Sequence, residues 1–424
     1  MNKPRYSALL LSATSAAVLS LALGAGARAA DQAKHTVSRE IGKDLQAAQA
    51  ADQKGDYQEA LSHLDKANSY AKKTPYDQHT INELARYAYL KTKNYDAAVK
   101  PMESLIDDGF TDPGEVKNLI KDLGVIEYQK MNYDKSVQYG ERAIKGGFAD
   151  ATTYTLVSQS YYLKGSYRDA LKFTRNLVDD QVKRGEMPKE TQLEIILNSC
   201  IKLNDQQCTT RALEQMVSYY PKPEYWQNLI TEMYNTKEAE NNDSDMLNIY
   251  RLAADVGALK QAHEYADMAQ LSLELGFPGE AQRVLEKGFG QNIFTDQHVR
   301  ERAQRLLTKA KQGAVTDQTS LPKLEKEAAS SATGEKDVAV GTAYLSYQKY
   351  DEAVMALQQG IMKGGLKNAA EAELMLGIAQ LKSGNKDAAV KSFKGVKTDD
   401  PVMQRLANLW TVRARGQGGT VASR

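Results

Sequence analysis

The sequence predicts an all-α chain of stacked, antiparallel helix hairpins, and three observations carry that expectation. First, one short turn recurs. Leu163-Lys164-Gly165-Ser166-Tyr167-Arg168-Asp169-Ala170-Leu171 reads as an apolar helix end, Gly and Ser, then Tyr opening a second amphipathic run. The same turn returns at Gly55-Asp56-Tyr57, Lys93-Asn94-Tyr95, Met131-Asn132-Tyr133, Gln348-Lys349-Tyr350 and Gly384-Asn385-Lys386. Second, Tyr57, Tyr95, Tyr133 and Tyr167 are spaced by 38, 38 and 34 residues, and a fixed period in this range marks a repeat architecture. Third, from Ile41 onward apolar residues keep a helical period, with almost no alternating β-branched runs.

The spacing explains each part of the hairpin. Small residues upstream of the turn (Leu123-Gly124, Val340-Gly341, Leu376-Gly377) face small residues downstream (Ala170, Ala389), where only short side chains let two helices meet. Tyr89, Tyr161 and Tyr344 fill the space toward the next repeat. In mid-chain, Thr191–Leu203 and Gln206–Tyr219 read as a pair closed by Pro221. Tyr225–Asn235 and Ser244–Val256 read as helices flanking a polar insertion, Thr236 to Asp243. Ala262–Leu275 and Pro278–Lys287 form a further pair, with Pro278 opening the second helix. Residues 295–331 read as two polar helices around Gln312-Gly313. Hairpins are expected to end on Gly followed by an apolar residue, at Gly109-Phe110, Gly147-Phe148, Gly288-Phe289 and Gly365-Leu366, where Gly supplies a left-handed cap. Pro401–Arg413, carrying Trp410, reads as a helix covering the last repeat.

These residues resemble the tetratricopeptide repeat (TPR) family over nearly all of residues 40–400. The resemblance implies a TPR-like α-solenoid: a superhelix of about ten antiparallel hairpins with a C-terminal capping helix. The expected organisation is a signal peptide at 1–30, an N-terminal TPR array at 31–235 and divergent helical repeats at 236–331. A C-terminal TPR pair with its capping helix follows at 332–415, and a flexible tail at 416–424. In the family the first helix of each hairpin lines a concave groove that takes a peptide segment or partner helix. By helical spacing that face carries Tyr87, Lys91, Tyr128, Gln129, Gln159, Tyr162, Asn198 and Lys202. Amides and tyrosines suit peptide backbone and flat apolar side chains, although the same tyrosines can instead pack between repeats. The Lys, Asn and Arg set with which one TPR subclass clamps a C-terminal carboxylate is not reproduced.

The first thirty residues have the form of a secretory signal. Lys3 and Arg5 precede an apolar stretch from Ala8 to Leu23, and Ala27-Arg28-Ala29 offers a small-x-small cleavage pattern. The apolar stretch is interrupted by Ser12, Ser15 and Ser20, whereas a membrane span wants about 20 predominantly apolar residues. A soluble, periplasmic protein with no integral membrane segment after cleavage is therefore expected. Of 55 basic and 54 acidic residues, three basic ones lie in that segment. The remainder is close to neutral, which gives no footprint for nucleic acid.

Five histidines (His35, His63, His79, His263, His298) are scattered without metal spacing, and no phosphate loop, serine elbow or catalytic carboxylate pair stands out. No catalysis, metal or cofactor is expected. Cys200 and Cys208 flank a hairpin turn. In an oxidising compartment they can form a structural disulfide, with two buried thiols or a redox couple as the alternatives. The functional expectation is an exported scaffold that binds a protein partner in the bacterial envelope, with an accessory of a TonB-type complex as its narrower form. A glycan- or peptidoglycan-binding role, or a part in exopolysaccharide secretion, is the alternative.

Overall fold

A computed structural model of the chain describes residues 35–236 and 241–416. The signal-like segment, the tail from residue 417 and residues 237–240 of the polar insertion lie outside the described residues. The chain divides into two compact units at Leu177–Val178. The N-terminal unit contains α1 (Arg39–Lys54), α2 (Tyr57–Ser69), α3 (Pro75–Lys91), α4 (Tyr95–Asp107), α5 (Pro113–Gln129), α6 (Tyr133–Lys145) and α7 (Ala151–Leu163). The boundary falls inside α8 (Tyr167–Lys183). The C-terminal unit contains α9 (Glu190–Lys202), α10 (Gln206–Tyr219), α11 (Pro223–Tyr234), α12 (Asp243–Asp255), α13 (Ala262–Glu274) and α14 (Pro278–Gly290). It continues through α15 (Gln297–Ala329), α16 (Glu335–Ser346), α17 (Tyr350–Lys363), α18 (Ala369–Lys382), α19 (Lys386–Gly395) and α20 (Pro401–Arg415). Among the described residues there is no strand, and consecutive helices pair as antiparallel hairpins in the TPR-like manner.

Eight hairpins are closed by the same local device. Gly55, Lys93, Met131, Gly165, Asn204, Gly276, Gln348 and Gly384 all have positive φ, and each stands two residues before a second helix. The next residue's N–H donates to the carbonyl five residues back, as in Asn132 to Glu127 (2.8 Å) and Lys349 to Tyr344 (2.9 Å). This left-handed closure satisfies carbonyls that the first helix would otherwise leave open. Asp56, Asn94, Asp205 and Asn385 then cap the second helices, accepting from the N–H three residues on.

Small residues set the distance between paired helices. Ala60, Ala98, Ser136, Ala170, Ala281, Ala353 and Ala389 are fully buried, each three residues into a second helix. A Cβ added to Gly341 would lie 2.6 Å from Leu357, and one on Gly377 would lie 2.4 Å from Phe393. In the N-terminal unit this spacing leaves two continuous apolar clusters. One is built on Ile41, Leu45, Leu64 and Ile81, the other on Met102, Leu105, Leu119, Leu123 and Ile126.

Two expectations are corrected. Residues 295–331 are not two helices around Gly313: α15 runs unbroken for 33 residues. Gly313 has ordinary φ, and its missing side chain admits Pro278, whose Cβ would lie 3.0 Å from a Cβ placed there. The chain therefore forms nine hairpins plus the single helices α15 and α20 among the described residues. Gly288 does not end a hairpin either. It sits inside α14 against Phe294 and Tyr265, and the left-handed residue is Asn292.

The capping helix α20 does cover α19, with Trp410 stacked on Phe393 at 5.8 Å. It also reaches back across the C-terminal unit. Arg405 Nε meets Glu214 of α10 at 3.0 Å and Arg413 Nε meets Asp255 of α12 at 2.7 Å. From α18, Lys382 pairs with the other oxygen of Asp255, and Arg251 of α12 donates to Met375 Sδ at 3.5 Å. The last hairpin of this unit thus closes onto one of its early helices.

Because a non-glycine residue in the left-handed region costs about 1 kcal/mol, Met131→Gly is expected to raise the denaturation midpoint. Met131 is 75% exposed, so little contact is lost. Gly165→Ala has open space around it and is expected to lower stability by about 1 kcal/mol through φ alone. Chemical denaturation of both variants checks the pair.

Candidate functional site

The face expected to bind a partner can be built from the first helices of the N-terminal unit. Tyr128 and Tyr162 each stand five residues before a turn tyrosine and rest on it, with ring centroids 5.7 Å from Tyr133 and 5.4 Å from Tyr167. Tyr87 meets Tyr57 edge-on at 6.2 Å, and Lys91 Nζ lies 5.3 Å from the Tyr87 ring centre. The three rings are half-buried. Burial, with Tyr133 beside it, pushes Tyr128 up to about 12, and burial with Tyr167 raises Tyr162. These hydroxyls stay protonated and able to donate at neutral pH.

The hydroxyls divide the tyrosines into two sets. Tyr139 donates to Glu103, Tyr161 to Glu141 and Tyr225 to Glu190, each at 2.6 Å. Among the described residues, the hydroxyls of Tyr87, Tyr128 and Tyr162 make no such bond and are not enclosed. Their rings are fixed by packing while their donors remain unspent.

Other residues of this face are placed as follows. Lys91 and Gln129 are exposed, whereas Gln159 is only 6% exposed, so its amide is not offered to solvent. Small residues surround it in α7, where Ser160 Oγ donates to Ser136 Oγ at 3.0 Å. The sequence reading missed Asp122, two turns before Gln129 on the same helix face. Burial pushes its carboxyl up to about 6, against the pull of Arg86 and Lys121. Arg86–Glu115 (2.8 Å) and Lys121–Asp150 (3.2 Å) tie successive hairpins together beside it.

Asn198 and Lys202 belong to the C-terminal unit, on α9, half-buried and exposed respectively. They flank Cys200, which is joined to Cys208 across the hairpin turn with the two Cα atoms 5.4 Å apart.

The C-terminal unit also holds a half-open cavity of about 400 Å³ that the sequence reading did not find. Helices α12, α13, α14, α16, α18 and α20 wall it. Arg251 forms a two-pronged ion pair with Glu280 (2.8–3.1 Å), both side chains under a tenth exposed, and its guanidinium lies 4.8 Å from the Phe277 ring. A sequence signal was available. Arg251 and Asp255 are spaced i, i+4, and Glu280, Arg283 and Lys287 recur at i, i+3, i+7, which puts charge on otherwise apolar helix faces.

No protein-family model matches the sequence, and neither does any curated protein. Solved structures do align with it. A tetratricopeptide repeat protein from Parabacteroides merdae is 12% identical, with a TM-score of 0.28, covering 78% of this chain and 98% of that one. The TPR2AB domain of yeast Sti1, solved in complex with pHSP90, is 15% identical with a TM-score of 0.25, covering 72% of this chain and 100% of that one. The TPR domain of P58(IPK) is 10% identical with a TM-score of 0.23, covering 89% and 98%. Likenesses at these TM-scores carry no weight for function. The hairpin device repeated along this chain defines its fold: an all-α array of TPR-like helix hairpins.

Two outcomes follow from this geometry. Reducing the short Cys200–Cys208 loop is expected to lower stability by about 2 kcal/mol, checked by unfolding with and without dithiothreitol and in Cys200→Ser/Cys208→Ser. For Asp122 the folded state holds its proton more tightly than the unfolded chain, whose carboxyl titrates near 3.8. Stability therefore falls as pH rises from about 4 to about 6 and stays lowered above. Asp122→Asn is expected to gain about 1–2 kcal/mol at pH 7.5 and nothing at pH 4, read from urea titrations at both values.

Proposed function

We propose that this protein is a non-catalytic, exported scaffold whose N-terminal unit binds an extended segment of a protein partner. The observation that carries the reading is the set of fixed tyrosine rings with unspent hydroxyls, Tyr87, Tyr128 and Tyr162, on successive first helices. Rings held in place by Tyr57, Tyr133 and Tyr167 lose little freedom on binding, so less of the contact energy is consumed in ordering the site. A peptide offers what these groups lack: backbone carbonyls for the hydroxyls and flat or aliphatic side chains for the ring faces. Lys91 and Gln129 at the same face add one cation and one amide.

Export to the periplasm rests on the basic, apolar and small-x-small pattern of the first thirty residues. A Cys200–Cys208 bond suits that oxidising compartment. Service within a multi-protein envelope complex is the finer part of the proposal.

The test uses Tyr128→Phe/Tyr162→Phe, which keeps the rings and removes the donors. A photo-crosslinking residue at exposed Gln129 reports the bound partner in envelope preparations. Loss of one net hydrogen bond costs about 1 kcal/mol, so the double variant is expected to lose partner capture by roughly tenfold or more at unchanged stability. Capture equal to the parent protein would overturn the assignment of this face. Retention on purified glycan with no protein partner would replace it with the glycan reading. Cell fractionation and the N-terminal sequence of the mature chain test export.

A further inference from the structure

We propose that the cavity of the C-terminal unit binds a small amphipathic organic anion, with its acidic head on Arg283 and Lys287 and its apolar body deeper among the methionines. The site lies wholly in the C-terminal unit and does not depend on the partner-binding face.

The charges that line the cavity are unequal. Arg251, Arg283, Lys287 and Lys382 face Asp255 and Glu280. Both acids are already committed. Glu280 is paired with Arg251, and Asp255 is held between Lys382 and Arg413, its own side chain only 4% exposed. Arg283 donates to a neutral group, the Ser346 backbone carbonyl, at 2.5 Å. Lys287 is exposed and has no acidic partner among the described residues. These two cations are one turn apart on α14, so a single head group can reach both. An anion placed there answers charge that the protein leaves uncompensated, and guanidinium suits the planar or tetrahedral oxygens of such a head.

The rest of the wall is apolar and adaptable. Met268, Val284, Leu345, Met375 and Ile378 line it, and methionine accommodates ligands of irregular shape. Trp410 completes the wall. It is 1% exposed. A volume of about 400 Å³ falls in the range of small-molecule sites and far exceeds what a lone water needs. Charge at one part and hydrocarbon at the other select an acid with an apolar chain or ring over a sugar or a free inorganic ion.

Carboxylate and phosphate heads share this chemistry, and the experiment separates them. Octanoate, octyl phosphate and the neutral octanol are titrated calorimetrically into the full-length protein, into Lys287→Glu and into Arg283→Gln. One saturable site per chain is expected for at least one of the two anions, with the tighter of them naming the head group. At least tenfold weaker binding is expected in both variants, and none of octanol at the same concentrations. Lys287→Glu changes an exposed side chain, so its fold is expected to be unaltered by circular dichroism. It therefore keeps the test decisive if Arg283→Gln unfolds. Octanol binding as well as the anions, parental affinity in Lys287→Glu, or no saturable binding of either anion would overturn the proposal.

Discussion

Close approach of paired helices, made possible by residues too small to hold two backbones apart, is the constraint from which the hairpin array follows. Ala60, Ala98, Ser136, Ala170, Ala281, Ala353 and Ala389 are each completely buried three residues into a second helix. Where the facing residue is Gly341 or Gly377, an added carbon would meet Leu357 or Phe393 of the paired helix inside contact distance. The tight crossing in turn makes the left-handed turn possible, since a chain reversal this short closes only between helices already near each other. Interiors at this density leave no slack for one more methylene. Architecture is accordingly repeated as a pattern of small residues, with the larger side chains left free to vary.

That freedom is used differently in the two units. In the N-terminal unit, tyrosines do two jobs that their hydroxyl partners distinguish. Tyr139 and Tyr161 are tied to Glu103 and Glu141 and bind hairpin to hairpin, while Tyr128 and Tyr162 are anchored only through their rings. In the C-terminal unit, charge takes the part of the latch. Glu214, Asp255 and Glu280 receive arginines and a lysine from other helices; Asp255, Glu280 and Arg251 are shielded from water, while Glu214, Lys382 and Arg413 reach it. Buried ion pairs add little net stability against an apolar replacement, but they penalise any arrangement that leaves one charge alone. They therefore select how α12, α18 and α20 meet, and in doing so they shape a cavity whose leftover charge is positive.

The sequence was most readable where a residue's role depends on its neighbours in the chain. Turn glycines and asparagines, cap residues and the Ala-Tyr spacing are local chemistry, and the hairpins through Tyr57, Tyr95, Tyr133, Tyr167, Tyr350 and Lys386 are found as expected. It misled where a local sign has two physical meanings. Gly313 can open a turn or admit a neighbour, and here it admits Pro278 within an unbroken helix. Gly288 can cap a helix or make room for a ring, and here it makes room for Phe294. Gln159 and Asp122 share a helical period with exposed residues, yet the depth to which each is buried depends on helices packed against them from elsewhere.

By itself, then, the sequence determined the class of fold, the position of most turns and which residues share a face of each first helix. Those properties arise from contacts within about one hairpin, and helical periodicity exposes them. Only the tertiary structure decided which tyrosine hydroxyls are left unspent, and that the C-terminal unit closes on itself. The contacts that close it join residues 127, 158 and 191 positions apart. No periodicity spans such distances, because the partners are chosen by the accumulated geometry of every hairpin between them.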